Sequence, residues 1–207
     1  FLVANHQIKL LVIACNTATA STISKLRELY DFPIIGMEPA IKPANEASRN
    51  KKVGILATEG TINSSKFSAL LDSYSGETHF FIQPCTGLVE YIESGKIDSN
   101  DVISLLRKNL IPLLEHKVDV VVLGCTHYIF IRKIVERFFN NTITIIETGD
   151  AVALQVQRKL KEFNFESDML NSKHVIYSNS ENPKMNLIID SLLDDYDFSY
   201  DFYSNWG

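Results

Sequence analysis

The chain moves between two hydrophobic rhythms. Leu10-Leu11-Val12-Ile13, Val53-Gly54-Ile55-Leu56 and Val118 to Leu123 are short, nearly continuous apolar runs. Runs of that kind predict strands covered on both faces. Pro33-Ile34-Ile35-Gly36, His79 to Ile82, Thr142 to Ile146 and Lys173 to Tyr177 read as further strands. Between them apolar residues recur every three or four positions, as at Ile23, Leu26 and Tyr30, at Phe67, Leu70, Leu71 and Tyr74, at Ile131, Ile134, Val135 and Phe138, and at Val152, Val156 and Leu160. That spacing predicts helices with one buried face. A further helix is expected over Ala40 to Ala47, and one capped by Asp98-Ser99-Asn100 runs to about His116. Met185 to Leu193 reads as a last helix, and the acidic, aromatic tail from Asp194 to Gly207 fits no element. Strands alternating with helices predict an α/β fold whose mainly parallel sheets are flanked by helices.

Composition narrows the setting. The 207 residues are 45% hydrophobic and 22% charged, which suits one or two soluble globular domains. No apolar run approaches a membrane span and no signal region precedes the first strand, so a cytoplasmic protein without a membrane partner is expected. The net charge of −5 comes without a Lys/Arg cluster, which argues against a nucleic-acid partner. Cys15, Cys85 and Cys125 are too few and too far apart for a disulfide framework, and nothing has metal-ligand spacing. The chain opens at Phe1 and enters a strand within nine residues, as expected of a chain that starts inside a domain.

Two segments echo one another. Lys9 to Ile13 runs into Ala14-Cys15-Asn16-Thr17, and Val120 to Leu123 runs into Gly124-Cys125-Thr126-His127. Each is a strand, a small residue, a cysteine and polar residues, then a helix and an Ile-Ile strand. The echo predicts two similar lobes, each offering a cysteine at the carboxyl end of a strand, where open parallel sheets bind ligands. Helix N-termini favour negative charge, the setting that lowers a thiol's pKa. Cys85 follows Gln83-Pro84, lacks this context and reads as structural. Two thiols facing each other across a cleft suit racemisation, in which a proton leaves one face of a carbon and another arrives on the opposite face. A cysteine hydrolase with His127 as base is the competing chemistry.

Val12 to Ala20 and Leu123-Gly124-Cys125-Thr126-His127-Tyr128 closely resemble the two signature motifs of glutamate racemases. Pro33 to Pro39, Val53 to Thr61, Leu88-Val89-Glu90 and Ser178 to Pro183 are similar to further stretches of that family. The resemblance implies two pseudo-symmetric α/β lobes, residues 1–50 with 148–207 and residues 51–147, with the active site in the cleft between them. It implies Cys15 and Cys125 as the acid/base pair. Asn16, Thr17, Thr126 and His127 are the implied substrate-binding positions, with Thr58 and Thr61 as neighbours of the site. It further implies interconversion of L- and D-glutamate without metal or pyridoxal phosphate, D-glutamate supply for peptidoglycan, and a homodimer. Residues matching the family's early Asp-Ser-Gly and Pro-Tyr-Gly segments are absent, Ile129 stands where proline is usual, and Glu147-Thr148-Gly149 begins with Glu rather than Asp. The alternatives are a two-cysteine racemase of the aspartate type and an inactive, ligand-binding fragment. His6, His79, His116 and His174 have no motif around them and are expected on the surface or in loops.

Overall fold

The computed structural model describes residues 1–167, 174–179, 184–193 and 200–204. Helix α1 (Leu2–His6) leads to strand β1 (Leu11–Ile13), helix α2 (Asn16–Leu29), strand β2 (Ile34–Gly36) and helix α3 (Ile41–Ala47). Strand β3 (Lys52–Ala57) is followed by α4 (Glu59–Ile62), α5 (Ser65–Asp72), β4 (His79–Pro84), α6 (Leu88–Glu93), α7 (Asn100–Glu115) and β5 (Val120–Leu123). A 3-10 turn (Thr126–Ile131) then precedes α8 (Arg132–Phe138), β6 (Thr144–Ile146), α9 (Gly149–Glu162), β7 (His174–Ser178), α10 (Met185–Leu193) and β8 (Tyr200–Ser204).

Every strand pairing among the described residues is parallel. The main sheet has the order β4-β3-β5-β6, while β1-β2 and β7-β8 form two-stranded sheets. From Val53 and Val120 onward the central strands β3 and β5 carry no polar side chain, because both of their faces are covered. On β3 and β5 the pleat sends Leu56, Val121 and Leu123 to one face, where Leu88, Leu106, Leu110 and Leu113 pack on them. Val53, Ile55, Val120 and Val122 point to the other face and meet Ile41, Ala44 and Phe67. At Gly54 a Cβ would come within 2.7 Å of the Leu113 side chain, so glycine lets α7 lie directly on β3.

The outer pieces depart from the reading of the sequence in specific ways. β1 was expected to be covered on both faces, yet Leu11, Val12 and Ile13 are only half-buried. Among the described residues β1 pairs with β2 alone. Helix α6 and strand β8 lack the periodicity that would announce them, and α1 stands on an aromatic cluster in which Phe1 and His6 pack on Tyr177. Helix α3, although it follows β2, buries Ile41 and Ala44 completely against β3 and β5. Lys173 and the Ser180 to Pro183 part of the family-like turn lie outside the described residues.

The junction after α3 is held by one carboxylate. Asp119 accepts hydrogen bonds from Ser48 Oγ (2.6 Å), Arg49 N–H (2.8 Å) and Asn50 N–H (3.1 Å). Burial alone would raise its pKa, but the hydrogen bonds from Ser48, Asn50 and Arg49 outweigh burial and hold the carboxyl below its ordinary range.

Candidate active site

In the main sheet the chain leaves β3 for β4 on one side and later returns to place β5 on the other, so strand order reverses between β3 and β5. The crevice beyond the carboxyl ends of such a pair is where open parallel sheets bind ligands. Thr58 follows β3 and Cys125 follows β5, which sets both at that crevice.

Cys15 arrives at the same place from the first segment. It is exposed and is the N-cap of the 14-residue helix α2, with its Sγ accepting from Ala18 N–H at 3.5 Å. The next two residues cross to the main sheet. Asn16 is buried, and its Nδ2 donates to the Gly124 carbonyl at 2.5 Å. That bond ties the residue after Cys15 to the residue before Cys125. The Asn16 Oδ1 is buried without a hydrogen-bond partner. Thr17 Oγ1 lies 3.1 Å from both Thr58 Oγ1 and Thr61 Oγ1, and those two are 3.1 Å apart, so the three hydroxyls form a closed triangle. Thr58 also caps α4, accepting from Thr61 N–H. Thr19 braces α2 from below, donating to Ile13 O and accepting from Met37 N–H.

Two glycines permit the close approach. A Cβ on Gly60 would sit 2.8 Å from Thr17 Cγ2, and one on Gly124 would sit 2.8 Å from the Leu56 carbonyl oxygen. Gly124 N–H donates to that same oxygen at 2.8 Å. Sequence reasoning valued Gly124 as a small residue beside the thiol and missed Gly60, whose contact lies across the crevice.

Cys125 is half-buried, with its Sγ 3.8 Å from His127 Nδ1. His127 Nε2 is 2.9 Å from Glu93 Oε1. A carboxylate oxygen only accepts, so Nε2 carries a hydrogen, and Nδ1 is the ring nitrogen that faces the thiol. Burial raises the pKa of Cys125. The His127 backbone N–H opposes that rise, while charge on Cys15 and Glu93 adds to it. Burial above all, with the charge on Cys15, therefore keeps the Cys125 thiol in its protonated form at neutral pH. Glu93 was not picked out from the sequence, since an acidic residue on a helix face carries no pattern of its own.

Beside Cys125 lies a cavity of about 260 Å³ lined by Met37, Thr126, Ile129, Glu147 and Thr148 among others. Arg132 holds Glu147 at 2.9 Å. A larger cleft of about 990 Å³ runs between α2, β2 and α9, but neither motif cysteine lines it. Cys85 is apart from this chemistry, buried at 2% exposure with its thiol pushed up to about 12, mainly by burial. His6, His79, His116 and His174 are all exposed, with His116 stacked on Phe81. Among the described residues no group of three His, Cys, Asp or Glu could hold a metal ion, and no helix is long and apolar enough to cross a membrane.

Comparison with known proteins bears on this arrangement. Glutamate racemases of Pseudomonas syringae pv. tomato and Stutzerimonas stutzeri are 48% identical over 153 residues and 49% over 155. These alignments take in 73% and 74% of this chain but only 56% and 59% of the relatives, so the chain spans somewhat over half of their length. Escherichia coli glutamate racemase, solved with L-glutamate and the activator UDP-MurNAc-ala, superposes with a TM-score of 0.82 at 27% identity, covering 100% of this chain and 78% of that one. The RacE1 isoform from Bacillus anthracis gives 0.81 at 25%, covering 99% and 76%. The description Asp/Glu/Hydantoin racemase matches residues 2–156, a stretch that contains both cysteine-bearing turns. On that match, the chain belongs to the Asp/Glu/Hydantoin racemase family.

Proposed function

We propose that the chain catalyses the interconversion of L- and D-glutamate, with Cys15 and Cys125 as the two acid/base groups. The observation that carries this reading is their convergence: the turns after β1 and β5 are joined by the Asn16–Gly124 bond, and charge on Cys15 reaches the Cys125 thiol. One cysteine, as thiolate, takes the α-proton and becomes a thiol. The other, as thiol, gives a proton to the opposite face of the carbanion and becomes a thiolate. Turnover in the reverse direction exchanges the roles. Since Cys125 is protonated at rest, it begins as the acid. Having given that proton it is the thiolate, ready to act as base in the reverse direction, with His127 Nδ1 3.8 Å away and Glu93 behind the ring.

Thr126 and His127, together with the backbone N–H groups of Asn16 and Thr17, are the proposed contacts for the substrate's charged groups, and Thr58 and Thr61 border them. The proposed lobes are residues 1–50 with 148–207 and residues 51–147, with α3 packing across the division. The chemistry requires neither metal nor pyridoxal phosphate. A cytoplasmic homodimer that supplies D-glutamate for peptidoglycan completes the reading.

The test is to incubate the chain with L- and with D-glutamate in deuterated water. Interconversion with deuterium at the α-carbon, lost in both Cys15→Ser and Cys125→Ser, supports the proposal. Turnover that survives Cys15→Ser refutes the two-thiol mechanism. Racemisation of aspartate but not glutamate reassigns the substrate.

A further inference from the structure

We infer that Thr17, Thr58 and Thr61 are positioning residues, whose closed hydroxyl triangle clamps the Cys15 turn onto the main sheet and fixes the separation of the two thiols. The inference rests on the racemase reading and goes beyond it by moving the Thr17 side chain out of the substrate-contacting set.

Hydrogen counting makes the case. A threonine hydroxyl has one proton to give and two lone pairs to receive. Three hydroxyls at 3.1 Å from one another close a ring in which each donates once and accepts once. All three protons are then spent inside the triangle, and Thr58 also accepts from Thr61 N–H. A side chain that binds a carboxylate must donate, so Thr17 meets a substrate carboxylate only through its backbone N–H.

What the triangle does is mechanical. Thr17 sits two residues after Cys15, while Thr58 caps α4 and Thr61 lies within it, directly beyond β3. Gly60 lies beneath it, and any side chain there would strike Thr17. Asn16 supplies a second point of attachment, on the residue that precedes Cys125. The Cys15 turn is thus fastened to the ends of both β3 and β5. A two-thiol proton transfer depends on that spacing, because small misplacements of reacting groups are costly in rate.

The experiment compares wild type with Thr17→Val, Thr17→Ser and Gly60→Ala. It uses two readouts, glutamate kinetics in both directions and the yield with which a short bifunctional alkylating agent such as dibromobimane bridges Cys15 and Cys125. The expected result for Thr17→Val and Gly60→Ala is a fall in kcat of about 10- to 100-fold in both directions, with KM within about threefold of wild type. Bridging falls in parallel, and Thr17→Ser restores both. A raised KM with kcat and bridging unchanged makes the Thr17 hydroxyl a substrate contact and overturns the inference. If wild type fails to turn over glutamate, the racemase reading falls, and bridging alone decides the clamp: unchanged bridging in Thr17→Val overturns it, reduced bridging sustains it.

Discussion

Gly124 stands where the sheet meets the chemistry, and replacing it with alanine exposes how tightly the two are joined. The added Cβ would lie 2.8 Å from the Leu56 carbonyl oxygen and 3.3 Å from Ala57 Cβ. The first neighbour is backbone of the adjacent central strand, so no side-chain rotation relieves the contact. Relief requires the end of β5 to move from β3, which stretches the 2.8 Å Gly124 N–H to Leu56 O bond. Overpacking of this kind costs about 1–3 kcal/mol, and weakening the hydrogen bond adds about 1 kcal/mol. The sum, about 2–4 kcal/mol, corresponds to a fall of about 1–2 M in the urea midpoint if the slope is about 2 kcal/mol per M. Gly76→Ala, where a new Cβ meets nothing within 4 Å, is the control and leaves the midpoint in place. A Gly124→Ala midpoint within about 0.3 M of wild type would refute the claim that β3 and β5 cannot part.

Asp119→Asn tests the junction after α3. The folded pKa of Asp119 lies below its unfolded value, so its stabilisation is present above about pH 4 and drains away as pH falls through the folded value. The variant therefore loses about 1–2 kcal/mol at pH 7, and its deficit relative to wild type narrows in acid. Denaturant melts at pH 7 and pH 3 check this, and an equal deficit at both would mean that the charge is not what holds the loop. In an alkylation time course read by peptide mass spectrometry at pH 7.5, Cys15 reacts first, Cys125 more slowly and Cys85 only after unfolding, following their exposure and the raised thiols of Cys125 and Cys85. Glu93→Gln removes a charge that adds to the rise of the Cys125 thiol, so Cys125 alkylates faster than in wild type, though still more slowly than Cys15 because burial is the larger cause. Because the His127–Glu93 pair is largely exposed, global stability changes by less than about 1 kcal/mol.

The sequence announces the centre of the main sheet because β5 and most of β3 are buried on both faces and therefore apolar, as Val120 to Leu123 illustrates. Helices α5 and α7 are legible for the complementary reason that one face of each meets a core, while α9 shows the same spacing without burying a residue. Short elements with divided surroundings escape. Helix α6 buries Leu88 and Ile92 but carries Glu90 and Glu93 between and after them, too brief a stretch to establish a period. The helical spacing from Ile131 to Phe138 corresponds to α8, but the 3-10 turn before it, which holds His127 beside Cys125, has no period of its own to announce it. The two thiols are visible as an echo of local patterns. Gly60 and Glu93 are not, since their importance arises from Thr17 and His127, each more than 30 positions away.

Helix α3 has a bearing on how the molecule comes apart. By chain order it continues from β2, whose partner is β1, yet its apolar face is sealed into the core beneath β3 and β5. Unfolding the main sheet would strip the cover from Ile41 and Ala44 and release the segment that leads back to β2. Melting of β1-β2 would in turn free the Asn16 and Thr17 attachments at the ends of β3 and β5. Loss of the main sheet therefore takes the β2–α3 connection with it, and the two cysteines part in that event.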